Sequence, residues 1–192
     1  SQHCSRRRFG CELAEVLRVR LTNLPPLACH AYAKALEAME PVGSAMVSGI
    51  ERMTTAQKRQ WAETILRPTG YKVDRRGFGS IYFEPRHINQ GLNYLKRDGE
   101  IATFTMLPKV LKRGIVIESR ENHKGRNFGT VTIAAPVEIN GIRGNMAAVV
   151  QLTGKNHYHT HRIIMPDGSA FAFNAEKNTE SKPAGAANLR VA

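Results

Sequence analysis

Long apolar runs are missing from this chain of 192 residues. No stretch approaches the ~20 apolar residues that a membrane-spanning helix needs, so a helical transmembrane protein is excluded. The basic start, Arg6-Arg7-Arg8, is not followed by the apolar region of a secretory signal. Cysteine is scarce: Cys4, Cys11 and Cys29 all lie near the start and form neither a disulfide framework nor a Cys-x-x-Cys pair. Free thiols in a reducing compartment are expected, and with them a cytoplasmic location, reached by synthesis or by delivery into a target cell. Helix-turn-helix and zinc-finger patterns are also lacking, which argues against a reader of DNA sequence. A chain that opens on Ser1 suggests a processed product or a piece of something longer.

Acidic groups are in deficit too, 16 against 28 Lys and Arg, for a formal charge of +12. The excess is spread out: 13 basic and 8 acidic groups in residues 1–84, 12 and 6 in 85–173, 3 and 2 in 174–192. This is no basic tail on a neutral body. A globally cationic domain gathers polyanions, nucleic acid first among them, and RNA or another polyanion is the expected partner. With 42% hydrophobic and 23% charged residues the composition is that of a folded chain with a true core.

Hydrophobic spacing divides the chain in two. Glu12 to Leu21, Ala28 to Met39 and the run from Thr54-Thr55 to Leu66 carry helical stripes, ended by Pro25-Pro26, Pro41 and Arg67-Pro68. His30 stands alone among these and carries no visible chemistry. Asp74-Arg75-Arg76-Gly77-Phe78-Gly79 reads as a polar junction, so residues 1–76 are expected to form a helical accessory module. Residues 77–173 follow as an α+β domain: a strand over Ser80 to Phe83, a helix opening at Pro85, a second helix from Met106 to Arg113 stopped by Gly114, then antiparallel sheet. Thr130 to Ile139 alternates strictly, and Asn140-Gly141 signals a two-residue hairpin turn. Such a turn pairs Ile139 with Ile142, Val137 with Gly144, Ala135 with Met146, Ile133 with Ala148 and Val131 with Val150, all apolar or Gly, with Glu138 opposite Arg143. His157 to Met165 and Ser169 to Phe173 complete the expected meander, and residues 174–192 read as a flexible tail. The fold class expected is therefore two helices packed on a four- to five-stranded antiparallel meander, behind an N-terminal helical module.

His157-Tyr158-His159-Thr160-His161-Arg162 is the most unusual stretch. Period-2 geometry puts His157, His159 and His161 on one face and Tyr158, Thr160 and Arg162 on the other. Zinc is one use for such a face, but alternate residues sit ~7 Å apart at ~3.3 Å per residue, and three in a row are stretched for one ion. No Asp or Glu lies close in sequence to help, so neither a metal nor a cofactor is assigned. The doubled His-x-Thr of two-histidine phosphoesterases never occurs. The His-Tyr pair lies too near the C-terminus for the ADP-ribosyltransferase arrangement. Metal-independent RNA cleavage fits better: it needs a base for the 2′-OH, an acid for the leaving 5′-oxygen and cations for the phosphate. Histidine suits both proton transfers near neutral pH. His87 at a helix start and one of His157, His159 and His161 form the candidate pair. Arg86, Lys109, Arg120, His123, Lys124, Arg126 and Arg162 are the candidate substrate contacts, with the Arg120–Arg126 loop as a phosphate grip. The alternatives are a solvated loop, and a histidine face that merges into the apolar side because Ile163 and Met165 share its parity.

Three stretches carry a likeness to a known family: Ile81-Tyr82-Phe83-Glu84-Pro85-Arg86-His87-Ile88, the passage Leu107-Pro108-Lys109-Val110-Leu111 to Ile115-Val116-Ile117, and Ala135-Pro136-Val137-Glu138-Ile139. With His157 to Ile164 and Asp167-Gly168, residues 81–173 resemble the barnase–EndoU–colicin–RelE type nuclease domains of phage and mobile-element polyvalent proteins, in particular a large polyvalent protein-associated domain. The resemblance implies a ribonuclease-like fold, often toxin-associated, that cuts RNA without metal, with a cognate inhibitor as a further candidate partner. It transfers no fixed catalytic set onto numbered positions. Two other classes stay open: a non-catalytic nucleic-acid- or protein-binding module with a degenerate nuclease fold, and a structural domain of a phage-injected protein.

Overall fold

The computed structural model describes residues 26–95, 98–121 and 127–165. Five helices run over Pro26–Ala38 (α1), Thr55–Leu66 (α2), Pro85–Tyr94 (α3), Asp98–Ala102 (α4) and Leu107–Arg113 (α5). Seven strands cover Ser44–Ala45 (β1), Lys72–Arg75 (β2), Gly79–Tyr82 (β3), Ile115–Arg120 (β4), Gly129–Ile139 (β5), Ile142–Thr153 (β6) and Lys155–Ile164 (β7). The expected helix over Glu12 to Leu21, the strand over Ser169 to Phe173, the tail and positions 122–126 lie outside the described residues. None of the described helices is long and apolar enough to cross a membrane.

The architecture corrects the expected fold class. The fold is α/β, a seven-stranded mixed sheet curled into a half-barrel, in place of two helices on an antiparallel meander. The sheet runs β1-β5-β6-β7-β3-β2, with β4 also paired to β5. Antiparallel β4–β5–β6–β7 forms its centre, while β3 joins β7 and β1 joins β5 in parallel. The added strands have weak signals. β1 has two residues, and β2 buries only Val73 of its four. The stretch read as a junction is the β2–β3 hairpin itself. Residues on both sides of it, Leu66 and Ala62 before and Ile81 and Ile88 after, belong to one buried cluster.

Local chemistry explains the boundaries. Thr54 opens α2 with a reciprocal cap: its hydroxyl accepts from Gln57 N at 3.3 Å, and the Gln57 side chain accepts from Thr54 N at 2.8 Å. Arg75 closes α5 from a distance, donating to Leu111 O at 2.9 Å and Gly114 O at 2.8 Å. At Gly114 the chain passes so close to its neighbours that a Cβ would sit 2.6 Å from Val110 O and 2.7 Å from Ala134 O. The β5–β6 hairpin has the expected register from Ile139↔Ile142 to Val131↔Val150, around a turn with φ of 52° and 75° at Asn140 and Gly141.

Two layers of apolar contact hold the sheet. One face, with Ile133, Val137, Met146 and Val150, packs under α2, α3 and α5 through Leu66, Ile88 and Leu107. The other carries a smaller cluster in which Ala33 and Leu36 of α1 meet Ile117, Ala134, Ala147 and Ile164. Arg143 extends that second contact by donating to the carbonyls of Leu36 and Met39, at 3.1 and 2.7 Å.

Candidate functional site

The pairing of β6 with β7 decides which way each histidine faces. Val149 pairs with Thr160, but Val150 pairs with Tyr158, so His159 is an extra residue in a β-bulge. Paired residues share a face, and one inserted residue inverts the parity on either side of it. Tyr158 and His161, opposite Val150 and Ala148, therefore face the main core. His157, opposite Gln151, lies on the other face with Thr160 and Arg162, opposite Val149 and Ala147. The bulge separates the three histidines that regular alternation would align.

His161 belongs to the core. Fully buried, it meets Tyr158 Oη through Nδ1 at 2.7 Å and Thr103 Oγ1 through Nε2 at 2.8 Å, with the Phe104 ring edge-on at 4.8 Å. Thr103 donates its hydroxyl proton to Glu100 O. The Thr103 oxygen then accepts from His161 Nε2–H, and His161 Nδ1 accepts from Tyr158. Every donor in this chain has an acceptor. Burial pushes the His161 pKa down to about 3 and holds the Tyr158 phenol far above its ordinary value. His159, at the bulge, is half-buried.

His157 meets a different set of groups. Tyr82 pairs with it across β3–β7, and two residues beyond Tyr82 the chain turns into α3 at Glu84-Pro85. Pro85 suits the first helical position because the N–H it lacks has no intrahelical partner there. Glu84 occupies the cap position in extended backbone, yet its side chain makes no cap hydrogen bond. Its carboxylate instead reaches Arg86 Nε at 2.9 Å, His157 Nδ1 at 3.3 Å and His87 Nδ1 at 3.9 Å. The imidazoles of His87 and His157 are 5.3 Å apart between centroids, and each residue is 6% exposed. Neither Nδ1 has an aligned hydrogen-bond partner among the described residues, despite the carboxylate beside both. Burial foremost, and then the charge of Arg86, holds the His87 pKa below the ordinary range; Glu84 opposes the shift and His157 adds to it. Lys155 lies 5.6 Å over the Tyr82 ring, whose centroid is 6.4 Å from that of His157.

Of the residues singled out from sequence, the structure thus brings together Arg86, His87 and His157. Lys109 lies on α5 against the backbone of Gly43, and Arg120 pairs with Glu118 on β4. Arg162 pairs with Glu100 at 2.9 Å, five residues and roughly 15 Å along the strand from His157. His123, Lys124 and Arg126 lie outside the described residues. No protein-family model, curated protein or solved structure matches the chain. Sequence reasoning missed Glu84, Tyr82 and Lys155. The signal for Glu84 was a carboxylate standing at a helix cap, directly before proline and three residues before His87.

Proposed function

We propose that this chain is a ribonuclease-like domain that binds RNA through its cationic surface and cleaves it by metal-independent acid/base chemistry at Glu84, His87 and His157. The observation that carries this reading is the pair of imidazoles 5.3 Å apart, both beside one carboxylate that also pairs with Arg86. His87, kept neutral by burial, is the base that takes the 2′-OH proton. As the 2′-oxygen bonds to phosphorus, the P–O5′ bond breaks and His157 gives its proton to the departing oxygen. The products are a 2′,3′-cyclic phosphate and a 5′-hydroxyl. Arg86 and Lys155 neutralise the phosphate, and the Tyr82 ring offers a stacking face for a base. The likeness to toxin-associated nuclease domains supports the same chemistry.

The test is incubation of the full chain with total tRNA in EDTA. Cleavage is expected, reduced by about 10²–10⁴-fold in His87→Ala and in His157→Ala. Intact RNA at high protein concentration overturns the proposal. The second reading, a binding module without catalysis, is favoured by the 6% exposure of both histidines, which leaves little ring surface for a polymer. It predicts salt-sensitive RNA binding that survives both substitutions.

A further inference from the structure

We propose that Glu84, His87 and His157 bind a single divalent transition ion of the zinc class. One donor atom from each residue lies within 4.8 Å of the other two. Tetrahedral zinc, with bonds of about 2.0–2.2 Å, sets donor separations of about 3.3–3.6 Å. One carboxylate oxygen, Oε1, already stands 3.3 Å from His157 Nδ1, and the other, Oε2, which also pairs with Arg86, stands 3.9 Å from His87 Nδ1. Closing from 4.8 Å at most to the tetrahedral spacing takes side-chain rotations of about 1 Å.

A second observation points the same way. Both Nδ1 atoms are buried and without a hydrogen-bond partner among the described residues, in side chains more than nine-tenths buried. Buried polar atoms without partners are uncommon, and here two of them converge on one anionic group. A cation between the three satisfies both nitrogens and the carboxylate at once. Two imidazoles and one carboxylate suit zinc, cobalt or nickel over magnesium or calcium, which prefer all-oxygen shells. Three protein ligands leave a fourth position for water. Regular elements place the three residues: Glu84 and His87 are about one helical turn apart around Pro85, and His157 pairs with Tyr82 across β3–β7.

Binding stands independently of the RNA-cleaving reading. Its consequence rests on that reading: an ion that holds the nitrogen lone pairs and the carboxylate removes the acid/base pair, so zinc inhibits cleavage. The experiment is calorimetric titration of zinc into the chelator-treated full chain, with histidine ring NMR on the same sample. One ion per chain is expected, with shifts of the His87 and His157 resonances and none at His161. Glu84→Gln, His87→Gln and His157→Gln should each weaken affinity by more than the roughly 10–100-fold that loss of an outer-shell partner costs. The NMR pattern decides the matter even where a variant fails to fold. Lack of stoichiometric binding, or shifts confined to other histidines, overturns the site. Stoichiometric zinc that binds as expected while cleavage in its presence continues unchanged overturns the acid/base reading and leaves the ion site standing.

Discussion

At the scale of single residues, the histidines of β7 divide by what surrounds them. His161 is neutral because burial withholds water from its charged form, and both of its nitrogens are engaged. Its folded-state pKa of about 3 lies below its ordinary 6.5, so the unfolded chain binds the proton more tightly. Stability from this residue is therefore complete above pH ~6.5 and falls progressively as pH drops towards 3. His87, also shifted downwards, adds to the loss with the same sign. Urea midpoints measured between pH 7 and pH 4 should fall steeply. A midpoint that holds constant over that range contradicts the buried assignment. Tyr158→Phe removes one hydroxyl and strands His161 Nδ1, for an expected cost of about 1–3 kcal/mol in the same measurement at pH 7.

At the scale of elements, close approach and register matter more than propensity. α3 reaches β7 because Gly91 has no side chain: a Cβ there would lie 2.4 Å from Tyr158 Oη and 3.2 Å from its ring. The ring cannot swing aside, since it is fully buried and its hydroxyl is tied to His161. Gly91→Ala should thus destabilise by about 1–3 kcal/mol, even though alanine favours a helix by about 1 kcal/mol; a raised melting temperature would contradict this packing. The bulge makes a sharper case. Deleting His159 makes the pairs Val149–Thr160 and Val150–Tyr158 consecutive, so both arms of β7 keep their partners and their faces, with Tyr158 in the core and His157 beside Glu84. The deletion should therefore keep the fold, and a large fall in the urea midpoint would contradict this register. The β5–β6 hairpin was legible because its information is local: strict alternation on both strands around Asn140-Gly141 fixes every pair. The parallel pairings of β1 and β3 were not, because they join short strands to partners far along the chain. The face of His157 was misread for another reason. A bulge changes parity by one residue and leaves no mark in the alternation of His157, His159 and His161. Glu84 was hidden by distance along the chain, since only the fold brings it to His157.

At the scale of the whole molecule, the +12 charge bears on the proposed binding of RNA and not on the fold. RNA affinity should fall linearly with salt on logarithmic axes, and Arg86→Ala or Lys155→Ala should each lower the slope by about one. Equal slopes for these variants and the parent chain would place the contact surface elsewhere. Lys109→Ala, on α5 against Gly43, is the comparison for charge removed away from the histidines.

The order of the strands has a further consequence, for solubility. A bare β4–β7 meander would end in β7, a long strand with unpaired backbone groups along one side. The segment before α3 supplies a partner for its start, β3 pairing through Ile81–Asn156 and Tyr82–His157 with β2 beyond it, while β1 lies on the side of β5 that β4 leaves free. The new margins are poor templates for a second copy of the chain: β2 reads Lys-Val-Asp-Arg, β1 has two residues, and β4 is interrupted between Val116 and Glu118 and carries Arg120 at its end. Short, charged and bulged edges resist edge-to-edge aggregation. Removal of residues 72–82 should therefore uncover the start of β7, and the shortened chain is expected to self-associate more readily than the parent when the two are compared by light scattering.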